Sequence, residues 1–298
     1  SMLTKRKRRI LFWFSMAFFA MLLVPVFLFS FGYGIGKGFK IQRTGGIVIN
    51  ASEANALVAT NIFRKKKTSI LGKNALIKNL IPGEYEVKVQ KEGFWEWKKS
   101  LKVESEKVTS REALLVPLEI KGEILGTTTP PIEIKLELPP SVKKYWELPK
   151  SREMLMLGED KKFYRNNKPE NKIASTTLEI LKKSKNSFFS EDEQEIIIWN
   201  EKNIELFWIG KPDQMPLWMD KEHYISFSSE KTINDVRNYP NKANYLISSF
   251  ENGVFVVEKE TPNNIAPLYK GKNPKIILLE QNSLIIFDDD HHIKINLP

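Results

Sequence analysis

Hydrophobic positions follow two different rhythms along this chain. From Ile10 to Gly36 there are 27 consecutive positions without a charged side chain, ILFWFSMAFFAMLLVPVFLFSFGYGIG. A helix needs about 20 apolar residues to cross about 30 Å of hydrocarbon, so this run predicts a transmembrane helix over residues 10–36. Trp13 and Tyr33 fall near its two ends, where amphipathic rings settle at a membrane interface. Pro25 is tolerated there as it would not be in a water-exposed helix. A cleaved leader has an apolar core of about 7–15 residues and a small-residue cleavage site. This run is longer and lacks an A-x-A pattern, so it is read as an uncleaved anchor.

Beyond Gly45 the apolar residues come in short runs. In EYEVKVQ, Tyr85, Val87 and Val89 alternate with Glu84, Glu86, Lys88 and Gln90, the period-two signature of a strand with one buried face. GGIVIN, ALVATNIF, ALIKNL, FWEWKKSLKV and KVTSREALLVPL read as further strands. Pro82-Gly83 and Gly93 mark turns between them. Six or seven short strands with frequent turns predict a small antiparallel β-sandwich over residues 45–118. Residues 119–150 are rich in Thr and Pro (Thr127 to Pro131, Pro139, Pro140, Pro149) and read as a connection with one strand in IEIKLEL.

Residues 151–298 look repetitive. FSEDEQEIIIWNEKNI (189–204) and WMDKEHYISFSSEKTI (218–233) align without a gap at an offset of 29. This places Ile196 over Ile225 and Ile204 over Ile233. NSLIIFDDDHHI (282–293) aligns at a further offset of 60, and GVFVVEKE (253–260) reads as a degenerate copy. Hairpins repeating at about 30 residues predict blades or stacked sheets.

Two stretches resemble known families. Residues 79–97, NLIPGEYEVKVQKEGFWEW, carry a leucine, a Pro-Gly turn, an alternating Tyr/Val strand and a Lys-x-Gly-aromatic step. With GGIVINAS, this resembles the PEGA domain, a small β-sandwich of bacterial and archaeal surface proteins. The name-giving motif departs: its place reads Glu53, Ala54, Asn55, Ala56, and RKKKTS lengthens the turn before residue 68. The resemblance implies the fold and no catalytic residue. Residues 151–298 resemble diverged β-propeller repeats of the WD-like or Tol-B-like kind, which implies a propeller-like domain; an ordinary antiparallel β domain is the alternative.

Charge sharpens this picture. Of 46 Lys and Arg, eight lie within residues 1–43 (Lys5, Arg6, Lys7, Arg8, Arg9, Lys37, Lys40, Arg43) beside no acid; the remaining 38 face 36 acids, so the body carries +2 of the net +10. A nucleic-acid binder would hold its excess on the folded domain, so no nucleic-acid partner is expected. Lys5 to Arg9 form the denser flank, which predicts residues 1–9 as a cytoplasmic tail and the body outside. Nine residues are too few for a cytoplasmic output module. Arg64 to Lys67 are read as a solvated turn.

The absence of cysteine removes disulfides, thiolate nucleophiles and Cys-ligated metals, and fits a bacterial or archaeal envelope protein. The histidines are His223, His291 and His292, and none sits in a glycine-flanked nucleophile motif. The run Asp288 to His292 has metal-ligating residue types but reads as a polar hairpin turn, so neither metal nor cofactor is expected. Trp95 and Trp97, spaced i and i+2, are the candidate binding surface, against a reading as same-face packing aromatics.

The chain is therefore expected to be a mainly β protein on the outside of a cytoplasmic membrane, with the lipid bilayer as its first partner. It is expected to be non-catalytic and to bind a cell-wall polymer or another envelope protein. An envelope hydrolase or the outer domain of a signalling complex is the alternative.

Overall fold

The computed structural model describes residues 5–62, 64–120, 122–126, 144–147, 150–151, 154–157, 162–165, 168–172, 186–219, 224–279 and 282–298. They fall into two compact units, Ser1–Leu115 and Val116–Pro298.

The first unit begins with helix α1 (Lys5–Ser30). Its uncharged part, from Ile10 onward, rises about 31 Å at 1.5 Å per residue, the thickness of a bilayer core. Phe, Leu, Met and Val side chains stand exposed on all sides of it. Such a helix fits a single-pass membrane anchor or a signal sequence. It stops short of the predicted Gly36. Gly32 takes φ +78°, a left-handed conformation that suits glycine and ends the helix. The chain then forms a small hairpin of β1 (Tyr33–Ile35) and β2 (Ile41–Arg43).

Seven strands follow: β3 (Gly45–Ala51), β4 (Leu57–Thr60), β5 (Lys65–Lys67), β6 (Asn74–Leu80), β7 (Gly83–Gln90), β8 (Trp97–Val103) and β9 (Val108–Ala113). They make two sheets, ordered β6-β3-β9 and β5-β4-β7-β8. Ile47, Ile49 and Ile77 of the first share one core with Val58, Val87, Val89, Trp97 and Leu101 of the second. The predicted alternation in β7 is observed: Tyr85, Val87 and Val89 are buried. Two expectations fail. β9 pairs parallel to β3, with Gly46 opposite Val108 and Ala51 opposite Ala113. It crosses from β8 to the other sheet and so arrives running the same way as β3. Arg64 to Lys67 are not a turn either. Lys65–Lys67 is an edge strand, and Lys66 Nζ donates to the Leu76 carbonyl (3.1 Å) while Arg64 donates to that of Lys78. These bonds engage carbonyls on the open edge of β6.

The second unit opens with β10 (Gly122–Gly126), then β11 (Lys144–Glu147), β12 (Met154–Leu157), β13 (Lys162–Arg165) and β14 (Lys168–Lys172). Next come β15 (Asn186–Phe189), β16 (Glu195–Trp199), β17 (Asn203–Trp208) and β18 (Tyr224–Ser228), then β19 (Ile233–Asn238), β20 (Tyr245–Phe250), β21 (Gly253–Glu258) and β22 (Ile265–Lys270). Last are β23 (Lys275–Leu279), β24 (Ser283–Asp288) and β25 (His291–Asn296). Strands β11 to β22 form three consecutive four-stranded meanders, and the fourth sheet is ordered β10-β25-β24-β23. The opening strand of the unit thus completes its final sheet. The stretch read as a connection over 119–150 contains two strands, β10 and β11, while IEIKLEL lies outside the described residues.

The β15–β18 sheet packs face to face with the sheets on either side of it. Ile196 and Ile198 of β16 lie with Leu155 of β12, and Ile197 and Trp199 lie with Val236, Leu246 and Val257 of the next sheet. Both faces of β16 are therefore covered. The structural repeat also differs from the sequence alignment. In the hairpins β16–β17, β20–β21 and β24–β25, the paired residues are Glu195 and Trp208, Tyr245 and Glu258, Ser283 and Asn296. The equivalent positions are thus 50 and then 38 residues apart, not 29 and 60. Ile196 and Ile225 are both buried, but on the second and fourth strands of one sheet. Ser228 to Thr232 connects two sheets, and GVFVVE is the third strand of its sheet.

Candidate functional site

Two parts of the second unit, the connection β15 to β16 and the connection β19 to β20, meet at one end of adjacent sheets and frame a cavity of about 370 Å³. Such a volume falls at the lower end of small-molecule sites, roughly 300–1,000 Å³. The first connection is held by its own polar side chains. Ser190 Oγ donates to Asp192 Oδ1 (2.6 Å) and accepts from the backbone N–H groups of Gln194 (3.2 Å) and Glu195 (2.9 Å). Behind it, the buried Glu193 carboxylate accepts from the Lys150 and Ser151 backbone amides and so ties this turn to the preceding sheet.

The floor of the cavity contains a buried ion pair. Lys259 Nζ lies 2.5 Å from Glu195 Oε2, and both side chains are almost fully excluded from water. Glu195 starts β16, whereas Lys259 follows β21 in the next sheet, so the pair joins two sheets. Neither charge would tolerate this burial alone; paired, each cancels much of the other's desolvation cost. One wall is Trp208, whose Nε1–H donates to the Lys211 carbonyl (2.9 Å), together with Gln214 and Pro216. The opposite wall carries Asn238, Tyr239, Asn241 and Asn244. Asn238 Nδ2 donates to the Phe189 carbonyl (2.8 Å), and the Tyr239 hydroxyl donates to that of Pro298 (2.6 Å). Burial pushes the Tyr239 hydroxyl far above its ordinary pKa, which keeps it a neutral donor. The rim carries Glu191, Asp192 and Lys242. The chamber thus offers amide and carboxylate groups against one aromatic wall, with its inner charges already matched.

No family model matches the chain, and no curated protein matches it. Among solved structures it is similar to the extracellular domain of the one-component system BT4673 from B. thetaiotaomicron. That likeness has TM-score 0.33 and 11% identity over 70% of this chain and 26% of that one. The chain thus spans about a quarter of that domain's length. It is also similar to the β-propeller domain of Myceliophteria thermophila Cps50 (Swd1), with TM-score 0.34 and 10% identity over 74% of this chain and 66% of that one. Likenesses at these scores carry no argument about function.

The residues singled out in the sequence are not gathered at this cavity. Trp97 is buried in the core of the first unit, while Trp95 precedes β8 and is exposed, so the two do not share a face. Arg6 to Arg9 occupy the first turns of α1, and Lys37 lies in the loop between β1 and β2. His223 lies outside the described residues. Asp289 and Asp290 form the two-residue turn between β24 and β25, at φ 48° and 64°. Positive φ at both positions is the demand of a type I′ hairpin, and aspartate tolerates it. Asp288 is buried and accepts from the Tyr269 hydroxyl (3.0 Å) and the Lys272 amide, and His292 packs on Phe287 at 5.1 Å. Among the described residues, no three metal-ligating side chains converge.

Besides Glu195, a further buried carboxylate inside a strand, Glu205, escaped the sequence reading. Glu205 in β17 is fully buried, and its Oε1 accepts from Ser226 Oγ (3.0 Å). Burial raises its pKa, partly offset by hydrogen bonds from Tyr224 and Ser226. The Tyr224 hydroxyl is pushed up to about 12, by burial first and then by its bond to Glu205. The signal for both carboxylates was a lone acid in an apolar strand, EIIIW and NIELFW.

Proposed function

We propose that this chain is a non-catalytic, membrane-anchored envelope protein whose second unit binds a sugar-containing polymer of the cell envelope. In this reading α1 crosses the cytoplasmic membrane with its basic end inside, and both β units stand outside. The first unit is a PEGA-like sandwich. The second is a propeller-like series of four sheets, with β10 drawing the unit's entry strand onto the last one.

The observation that carries the reading is the lining of the cavity between the β15–β18 and β19–β22 sheets. Asn238, Asn241, Asn244 and Gln214 offer neutral donors and acceptors suited to hydroxyl groups, and Trp208 gives an apolar wall. Its buried carboxylate, Glu195, is held by Lys259 and serves neither as a free acid nor as a nucleophile. A hydrolase acting on glycosides would require two poised carboxyl groups; of the other carboxylates lining the cavity, Asp192 accepts from Ser190 Oγ and the Gln194 amide, and Glu191 lies on the rim.

Co-sedimentation of the full chain, in mild detergent, with isolated cell-wall polymer tests this. Saturable binding with no release of reducing ends is expected. Release of reducing ends would replace the binder with an enzyme. Retention of the chain by another envelope protein, and not by polymer, would move the partner class to protein.

A further inference from the structure

The small hairpin directly after the membrane helix has a face that the protein leaves bare. Ile35 and Ile41 lie opposite each other in the β1–β2 ladder and are 67% and 59% exposed. Phe39, in the loop between them, is 89% exposed and holds φ 58°, a conformation unusual for a bulky side chain. Phe31, between α1 and β1, is 75% exposed and stacks on Phe27 of the helix, ring centroids 6.5 Å apart. Tyr33 and Arg43 share the ladder face of Ile35 and Ile41. The Arg43 Nε donates to the Tyr33 hydroxyl (3.2 Å), and its guanidinium lies over that ring.

The hairpin is a fixed part of the first unit. A Cβ on Gly34 would stand 2.6 Å from Ile81 Cδ1 and 2.9 Å from Thr44 Cγ2, so glycine there lets β1 pack against the end of β6. Thr44 Oγ1 donates to the Gly32 carbonyl (2.7 Å), and the Thr44 amide donates to the same oxygen (2.8 Å). With Gly34 and Gln42 on its inward face, the hairpin presents the isoleucine face outward.

We infer that this hairpin is an interfacial foot, seated among the lipid headgroups of the outer leaflet with Ile35, Phe39 and Ile41 in the acyl boundary. The choice of lipid as occupant follows from two facts. The bare face continues the lipid-facing surface of α1 through Phe31 with no intervening segment. The hairpin itself also holds three basic residues, Lys37, Lys40 and Arg43, and no acid, with Arg43 at its base paired to Glu106 of the β8–β9 turn. Apolar side chains flanked by cations and a tyrosine are the composition that settles at an anionic membrane surface. The foot, together with α1, fixes how the first unit stands on the membrane.

The inference rests on α1 crossing the bilayer, and the experiment reports the two separately. The chain contains no cysteine, so a single introduced cysteine labels cleanly. F39C and I41C are each coupled to an environment-sensitive nitrobenzoxadiazole label in the full chain, reconstituted in vesicles of phosphatidylcholine and phosphatidylglycerol. L71C serves as the water-exposed control, because Leu71 is 99% exposed at the far end of β6 from Gly34. Labels at F39C and I41C are expected to emit at shorter wavelength and to be quenched several-fold more by shallow spin-labelled lipid than the label at L71C. Carbonate washing is expected to leave the chain in the vesicles. Retention with a label at F39C as open to aqueous iodide as that at L71C overturns the foot and spares the anchor. Shielding from both iodide and lipid quencher shows a protein cover, a second copy included, and also overturns it. Extraction by carbonate overturns the foot and the anchor together.

Discussion

The two β units solve burial differently. In the first, each sheet buries one face, and β8 reads buried and exposed in strict alternation from Trp97 to Val103. In the second, β16, β20 and most of β17 are buried at every position, and the β15–β18 sheet has another sheet against each of its faces. A one-faced sheet can put most of its charges in water, with Lys99 on the buried side of β8 the exception. Glu104 pairs with Lys107 and Glu86 with Lys98 on the surface of the first unit. A two-faced sheet has to bury any charge it keeps, and Glu195, Lys259 and Glu205 are the result. The polar groups that give the second unit a chemical interior are consequences of its stacking.

The contrast is sharpest at its ion pairs. K259A strands the Glu195 carboxylate in the interior and should cost the second unit about 3–5 kcal/mol, with most of the loss recovered in the double variant K259M/E195L. K107A removes an equally close but fully exposed pair and should leave the denaturation midpoint of the first unit unchanged. Similar midpoints for K259A and the unaltered chain would erase the distinction.

Within the first unit, W97A should cost about 3–5 kcal/mol by opening a cavity in the shared core. W95A should stay within about 0.5 kcal/mol. Equal costs in a guanidinium titration followed by far-ultraviolet circular dichroism would contradict the one-faced description of that sheet.

Glu205 supplies a smaller effect with a definite sign. Its pKa is raised above the ordinary 4.5, so the folded unit holds a proton that the unfolded chain releases. Stability should therefore fall as pH rises from about 4.5 through the raised value, and level off above it. E205Q should flatten that segment and raise stability at pH 7 by about 1 kcal/mol. A steeper slope in the variant would mean the carboxylate is ionised in the fold. The smallest effect belongs to the β24–β25 turn, where D290G, at a position that already holds positive φ, should shift stability by a few tenths of a kcal/mol at most.

The same contrast explains what the sequence disclosed. Alternation at Tyr85, Val87 and Val89 located β7 because one side of that strand faces water. The apolar run of Ile196 to Trp199 gave no such phase, since a strand covered on both faces has no period-two pattern. Its register against Ile225 was therefore taken from chance matches at an offset of 29. The shared geometry of β16–β17, β20–β21 and β24–β25 lies in their ladder pairing, and residues as different as Glu195, Tyr245 and Ser283 occupy the same place in it. β10 was hidden because its partner, β25, lies at the opposite end of the second unit's sequence. The cavity was illegible for a similar reason, since its two framing connections are about fifty residues apart and polar in the ordinary manner of turns.

Binding at the cavity between the β15–β18 and β19–β22 sheets is tested most directly by a calorimetric titration of soluble cell-wall glycan fragments into the full chain held in lipid nanodiscs, alongside A243W. Ala243 lines the cavity, is exposed and belongs to neither sheet, so a tryptophan there fills the chamber without disturbing its walls. The account predicts saturable binding to the unaltered chain and at least a tenfold weaker affinity in A243W, a loss of about 1.4 kcal/mol. Equal affinity in the two proteins, or no heat from either, would contradict it.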